Sequence, residues 1–340
     1  MKGRTICLDH IEGREAAALM VDGQLEDLLV AADAPAPGTV YRCVADRPVK
    51  GQGGMFVKTP DGMGFLRGVK GMAPGDTLLV QVTGYAEPGK AIPVTHRLLF
   101  KSRYVIVTPG APGLNISRAI RDEDRREEIL AVVHATVADI PHGIILRSSC
   151  AEAEDAEIAD DLLTMLHLAQ RVIGDESKSA AILAEGDGPH VLAWRDWADP
   201  AEVVTHAGCF EECGVLDALE DAKGARIGLG GGAFAYVEPT RALVAVDVNT
   251  GSDTSPAAGT KANFALAKAL PRALRVRGLG GQIVLDLAPM PKKDRRGIES
   301  ALKAALRNDS IETTFIGWTP LGHVELQRKR ARVELAAILA

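Results

Sequence analysis

The sequence predicts an α/β multidomain protein with a small OB-type β-barrel near its amino end. At 340 residues the chain exceeds one ordinary hydrophobic core and suits several compact units. Between 39 and 96, five short β-type runs recur with turns between them. In the last third, two apolar runs, ALVAVDVNTG and GGQIVLDLAP, each finish on an aspartate and flank a helix-period stretch, the pattern of an α/β sheet.

Residues 1–36 open with strands around RTICLDH and EAAALMV, joined by a turn at Gly13, and a third strand running toward Leu29. The alanines and prolines of ADAPAPG, 32–38, mark a joint. From 37 to 98 the runs TVYRCV, GGMFVKT, GMGFLRG, TLLVQVTGY and AIPVTH have the spacing of an OB-type barrel. Phe56 and Phe65 fall on adjacent runs across the TPDGMG turn, and Lys90 follows in the EPGK loop. Two aromatics and a lysine on one barrel face suit stacking of single-stranded bases with a phosphate contact. The alternative places both rings in the barrel core.

Residues 99–175 mix strands and helices. SRYVIVTPG and HGIILRSS read as strands, and DEDRREEILAVVHATV as an amphipathic helix presenting Ile129, Leu130, Val133 and Val137. A second helix spans about 152–173, with Glu154, Asp155 and Glu157 complementing its dipole and a stripe of Ile158, Leu162, Met165, Leu166 and Ala169. Residues 176–222 alternate short apolar runs with polar turns and give no sharper pattern. From 223 onward, GARIGLGGGAFAYVEPTRALVAVDV reads as a β-meander with a tight turn at 238–241. No helix and no GK[ST] follow the glycine run at 228–232, so it reads as a flexible turn rather than a nucleotide cradle. A helix over 261–277, kinked or divided by Pro271, ends at Gly278, Gly280 and Gly281. A helix over 295–307, the strand TTFIGWT and a basic helix to the end complete the chain.

Carboxylates at strand ends emerge where the loops of an α/β sheet form a cleft. Asp247 and Asp286, closing two buried strands, could share one hard divalent cation such as Mg2+, or each could cap a helix or brace a loop. Asn249 could orient a water or a phosphate through its amide, or simply serve the turn before Gly251.

The net charge of −6 argues against coating nucleic acid by bulk attraction. Basic clusters at PKKDRRG, 291–297, and LQRKRAR, 326–332, leave open either a local RNA-facing surface or solvated helix faces. The five cysteines are odd in number and scattered, which fits a reducing compartment. Cys209 and Cys213 have no second pair nearby, so zinc is not expected there. The first residues lack a signal-peptide core and no run of 18 apolar residues occurs, so a cytoplasmic protein without a membrane partner is expected.

Several of these segments resemble the ribonuclease E/G family. EPTRALVAVDVNTG is similar to the family's catalytic strand and loop, and LRVRGLGGQIVLDLAPM to its second catalytic strand with the helix end before it. GTVYRCV, GGMFV and GFL resemble its OB-type RNA-binding module; SRYVIVTPG, NISRAI and HGIILRSS resemble its sensor of RNA 5′ ends. The likeness runs over about 1–335. It implies a ribonuclease H-like part at 1–36 and 176–222, an OB-type barrel at 37–98, a 5′-end-sensing α+β subdomain at 99–175 and a DNase I-like catalytic part at 223–340.

The resemblance also implies roles. Asp247 and Asp286 match Mg2+ ligands, and Asn249 matches a contact to the scissile phosphate or its metal shell, completing a catalytic trio. Phe56, Phe65 and Lys90 match RNA-binding positions. Arg147, Ser148, Ser102 and Ile106 match a 5′-monophosphate pocket, with Ser148 in place of Thr and Ser102 in place of Gly. The implied activity is Mg2+-dependent endonucleolytic cleavage of single-stranded RNA to 5′-phosphate and 3′-hydroxyl ends, in RNA processing or decay, with a preference for 5′-monophosphorylated ends. The family's CPxC-like zinc motif and following small domain do not occur before Ala340, so any homo-oligomer is expected to lack a zinc link. The competing expectation is a non-cleaving RNA-binding or regulatory protein of the same fold.

Overall fold

The computed structural model describes residues 3–49, 51, 53–69, 71–137 and 142–339; Met1, Lys2 and Ala340, the extremes of the expected terminal elements, lie outside them. The chain divides into two units, Met1–Ala32 with Ala201–Ala340, and Asp33–Pro200.

The first unit begins with an antiparallel meander, β1 (Arg4–Ile11), β2 (Arg14–Val21) and β3 (Gln24–Val30). Its two hairpins close through two-residue turns, Glu12-Gly13 and Asp22-Gly23, all four residues at positive φ. Such turns match the right-handed strand twist, which fixes the register of both ladders.

The second unit contains the barrel. Strands β4 (Val40–Val49), β5 (Gly54–Thr59), β6 (Gly62–Arg67), β7 (Thr77–Val82) and β8 (Ile92–Thr95) run in the order β4-β5-β6-β8-β7, and β7 closes on β4. Alternate side chains fill the interior, among them Tyr41, Cys43, Val57, Leu66 and Val80. Beside it lies a four-stranded sheet of β9 (Phe100–Lys101), β10 (Val105–Thr108), β11 (Gly113–Ile116) and, after α1 (Glu123–Thr136), β12 (Gly143–Leu146). Helix α2 (Asp155–Ile173) covers it, starting at a capping box of Glu154 and Glu157. Ile129, Val133, Ile158 and Leu162 meet Val105, Val107 and Ile144 in one core, as the helical stripes imply. The poorly patterned stretch resolves into β13 (Ala181–Ala184), paired with β4 at the barrel, and α3 (Pro189–Asp196).

The chain then returns to the first unit. β14 (Glu202–Val204) pairs in parallel with β1, while α4 (Cys209–Glu212) and α5 (Val215–Lys223) bury Phe210, Val215 and Leu219 against Cys7, Ala16 and Ala18. The cysteines are less scattered in space than along the chain. Cys7 sits beside Cys209 and Cys213, and burial, with the Asp9 carboxylate and Cys213 nearby, pushes the Cys209 thiol up to about 11.

The rest is one six-stranded sheet backed by helices. β15 (Arg226–Gly230), β16 (Ala233–Pro239) and β17 (Val244–Asn249) form the expected meander, its second turn closing at Thr240 to Leu243, two residues later than expected. Helix α6 (Ala258–Val276) crosses to β18 (Gly281–Asp286), and α7 (Arg295–Arg307) leads to β19 (Thr313–Trp318), β20 (Val324–Arg328) and a short α8 (Leu335–Ile338). The order is β15-β16-β17-β18-β20-β19. Val246, Val248, Ile283 and Leu285 pack under Leu266, Leu270, Ile298 and Leu302.

One expectation is narrowed here and another fails. Pro271 does not divide its helix: α6 is continuous, because the buried Leu266, Leu270 and Leu274 together outweigh an interior-proline cost of about 3 kcal/mol. The expected basic terminal helix is instead strand up to Arg328 and then loop, with only the short α8 helical. In β20 Val324, Leu326 and Arg328 are buried while Glu325 and Gln327 are exposed, the period of two that a basic count conceals. Arg328 is fully buried on Asp309, which also pairs with Arg275, so Arg328 belongs to a structural ionic lattice rather than to a solvated face. Among the described residues no helix is long and apolar enough to cross a membrane.

Candidate functional site

Strands β17 and β18 run parallel, and their register sets Asp247 directly beside Asp286. Alternation turns both away from the helices, since Val246, Val248 and Leu285 take the buried side. The two carboxylates are therefore exposed. Asn249, two residues on, lies on the same side, and its Nδ2 donates to Asp247 Oδ2 at 2.9 Å. The sequence-predicted trio is thus assembled. Nothing local marks a fourth neighbour, His323, whose Nε2 stands 3.6 Å from Asp286 Oδ1. It becomes visible only once β20 is known to pair with β18, at Leu285 and Val324.

The loop after β18 is held from below. Asn263 on α6 is fully buried; its Nδ2 donates to the Ala288 carbonyl at 2.9 Å and its Oδ1 accepts from the Ala288 N–H at 3.0 Å. A Cβ at Gly259 would overlap the Pro289 carbonyl, so glycine is what lets α6 reach this loop. Thr260 donates to Asp294 at 3.0 Å in the middle of the basic PKKDRRG segment, whose Lys292, Lys293 and Arg296 are exposed. On the other strand, Gly251 (φ 63°) turns the chain against the Gly232 carbonyl just past Asn249.

On the barrel, Phe56 and Phe65 are cross-strand partners with ring centroids 5.4 Å apart. Their neighbours Met55, Val57 and Leu66 fill the interior, so both rings lie on the outer surface and the core alternative is overturned. Arg47 and Arg67, which local pattern does not single out, sit over them at 5.1 and 5.6 Å. Lys90 is exposed in the loop before β8, whose Pro93 pairs with Phe65, and forms an ion pair with Glu87 at 2.5 Å.

Arg147 and Ser102 also meet. The Arg147 guanidinium donates to the carbonyls of Ser102, Arg103 and Arg195, and pairs with Asp196 at 3.0 Å rather than with the acidic start of α2. Asp196 also receives Lys101 and Arg195 at 2.7 and 2.9 Å. Burial opposes its ionisation, yet these cations hold it well below the usual carboxylate range. The Ser102 hydroxyl donates to Asp161 at 2.5 Å, Ile106 is half-buried in β10, and Ser148 is exposed next to Arg147.

A family model described as "Ribonuclease E/G family" matches residues 100–204 and 193–331, more than half of the chain. The chain belongs to the ribonuclease E/G family. Both carboxylates and Asn249 fall inside the second matched segment of this ribonuclease E/G chain. It is 27% identical over 308 residues to Ribonuclease G of Salmonella typhimurium (strain SL1344), covering 78% of this chain and 62% of the relative. It is 28% identical over 307 residues to Ribonuclease G of Escherichia coli (strain K12), with the same coverage. Against Ribonuclease E of Nostoc sp. it is 25% identical over 378 residues, covering 94% of this chain and 55% of the relative. The chain thus spans under two thirds of the length of these ribonuclease E/G relatives.

Proposed function

We propose that this chain is a Mg2+-dependent endoribonuclease that hydrolyses single-stranded RNA at Asp247, Asp286 and Asn249. The register pairing of Asp247 with Asp286 carries the reading: two exposed carboxylates side by side give hard oxygen donors with an open side. That donor set suits Mg2+, which takes one or two carboxylates and keeps the rest of its shell for water and phosphate. When bound there, the cation supplies Lewis-acid polarisation of the phosphodiester and a lowered pKa for attacking water.

The protein's own groups do the rest. Asn249 fixes the Asp247 carboxylate through its amide and leaves that amide's second N–H for a phosphate oxygen. Asn263 holds the Ala288 backbone, and with it the exit of Asp286 from its strand. Phe56 and Phe65, with Arg47 and Arg67 over them, offer stacking faces and positive charge that suit unpaired bases. In-line attack of water on phosphorus, with departure of the 3′ oxygen, leaves a 5′ phosphate and a 3′ hydroxyl. On this reading β15–β20 form the DNase I-like part and β1–β3 with β14 belong to the ribonuclease H-like part.

The test is a labelled single-stranded RNA incubated with Mg2+, comparing the natural chain with Asp286→Asn. Cleavage by the natural chain alone supports the site. Equal cleavage by both overturns it, and tight binding with no cleavage favours the RNA-binding alternative.

A further inference from the structure

The sheet face that carries Asp247 continues onto β16 with two aromatic side chains. Tyr236 is the register partner of Asp247, and Phe234 that of Asn249. Their rings meet edge to face at 5.5 Å, Tyr236 is 39% exposed and Phe234 half-buried. One strand further out, the Arg226 guanidinium lies 4.4 Å from the Phe234 ring centroid. Arg226 is exposed and makes no ion pair among the described residues, so its charge is available to an anion. Opposite Phe234 stands Gly228, where a Cβ would meet nothing within 4 Å, so that flank of the ring is open.

We propose that Phe234 and Tyr236, with Arg226 over the Phe234 ring, form a base-stacking subsite for the nucleotide next to the scissile phosphate. The inference rests on the nuclease reading of Asp247 and Asp286. Its physical basis is placement and chemistry. Adjacent strands lie about 4.8 Å apart, so the rings flank the carboxylates at roughly one nucleotide's reach. An edge-to-face pair of an exposed Tyr236 and a half-buried Phe234 on the solvent-facing side of the sheet leaves ring surface for a further partner. Unpaired bases stack on such rings whatever their identity, and the guanidinium adds a backbone phosphate contact. A duplex keeps its bases stacked on one another and gains nothing from these rings. The subsite therefore works with the barrel phenylalanines toward the same substrate class.

The experiment uses single-stranded RNA in which bases are removed one at a time across the cleaved bond. With the natural chain and Mg2+, one abasic position beside that bond should slow cleavage about tenfold. The double variant Phe234→Leu, Tyr236→Leu, which keeps apolar bulk, should be slower on intact RNA and insensitive to that abasic position. In EDTA, 2-aminopurine at the same position should be quenched on binding the natural chain and not the variant, with thermal midpoints compared to confirm folding. Arg226→Ala should lower the salt slope of binding by about one.

Abasic sensitivity unchanged in the double variant, or absent from the natural chain, overturns the subsite while leaving the nuclease reading intact. Should no RNA be cleaved, the nuclease reading falls. The quenching comparison then decides the subsite alone: quenching lost in the variant supports it, and equal quenching overturns it.

Discussion

Asp247 and Asp286 are register partners on adjacent parallel strands, so two like charges stand side by side on the exposed face of the sheet. Without a cation this is mutual repulsion, on the order of 1 kcal/mol in a solvent-like surrounding. A structure that needed only the fold would do better with one of them neutral. Asp286→Asn should therefore raise the metal-free melting temperature by roughly 2 °C. Mg2+ should raise the melting temperature of the natural chain and leave that of the variant nearly unmoved. RNA cleavage by the variant should fall more than about 100-fold, and by Asn249→Ala about 10- to 100-fold, the range for a residue one contact removed from a metal. A melting temperature of the natural chain that ignores Mg2+ would count against the site.

Asn263 acts as a piece of backbone for the loop after Asp286. It satisfies both the N–H and the carbonyl of Ala288 from inside the core. In Asn263→Leu both groups lose their partner, at about 1–3 kcal/mol each. The urea midpoint should drop accordingly with an unchanged slope. Cleavage should fall beyond what the unfolded fraction explains, and Asn263→Asp should not restore it, because a carboxylate cannot donate to the Ala288 carbonyl.

Arg147 is already engaged with three carbonyls and Asp196. A 5′ phosphate binding there must displace Asp196, which Lys101 and Arg195 also hold. Cleavage of 5′-monophosphorylated and 5′-hydroxyl RNA should thus differ by no more than about twofold, well under 1 kcal/mol. A large ratio abolished by Arg147→Ala would show that the exchange takes place. The same cluster has a pH signature. Asp196 is depressed from its ordinary value of 3.8, so its stabilisation is present above that pH and is lost as pH falls through the folded value. The melting-temperature gap between natural chain and Asp196→Asn should stay flat from about pH 8 to 5 and narrow below about pH 4.

Much of this is legible in the sequence because local patterns agree with tertiary demands. The five barrel runs, α7 at 295–307 and the strands that carry Asp247 and Asp286 all lie where alternation, helix period and apolar runs place them. What escapes is information that one segment cannot hold. Arg328 counts as basic surface until its partner Asp309, nineteen residues away, buries it. His323 lies in a turn with no pattern, and its closeness to Asp286 exists only through β20. The exposure of the carboxylates follows from which sheet face α6 and α7 cover, and hydrophobicity along a strand does not state that. Arg147 matches a phosphate position by resemblance, but its carboxylate partner Asp196 sits in α3, within the stretch whose pattern is weakest.

The barrel offers a test in which stability and binding separate. Phe56 and Phe65 stack on each other outside a core that Met55, Val57 and Leu66 already fill, so replacing either ring removes little burial. Phe56→Ala and Phe65→Ala should shift the melting temperature by no more than about 2 °C. Affinity for single-stranded RNA should nonetheless fall about tenfold for each, the effect of one lost base stack, with a smaller change for duplex RNA. Arg47→Ala and Arg67→Ala should do less at low salt and remove part of the salt dependence, because their guanidinium groups add charge to a stack that the rings form. Binding measured by anisotropy across salt concentrations distinguishes the two kinds of loss. A large stability drop with unchanged RNA affinity would instead return these rings to a purely structural role.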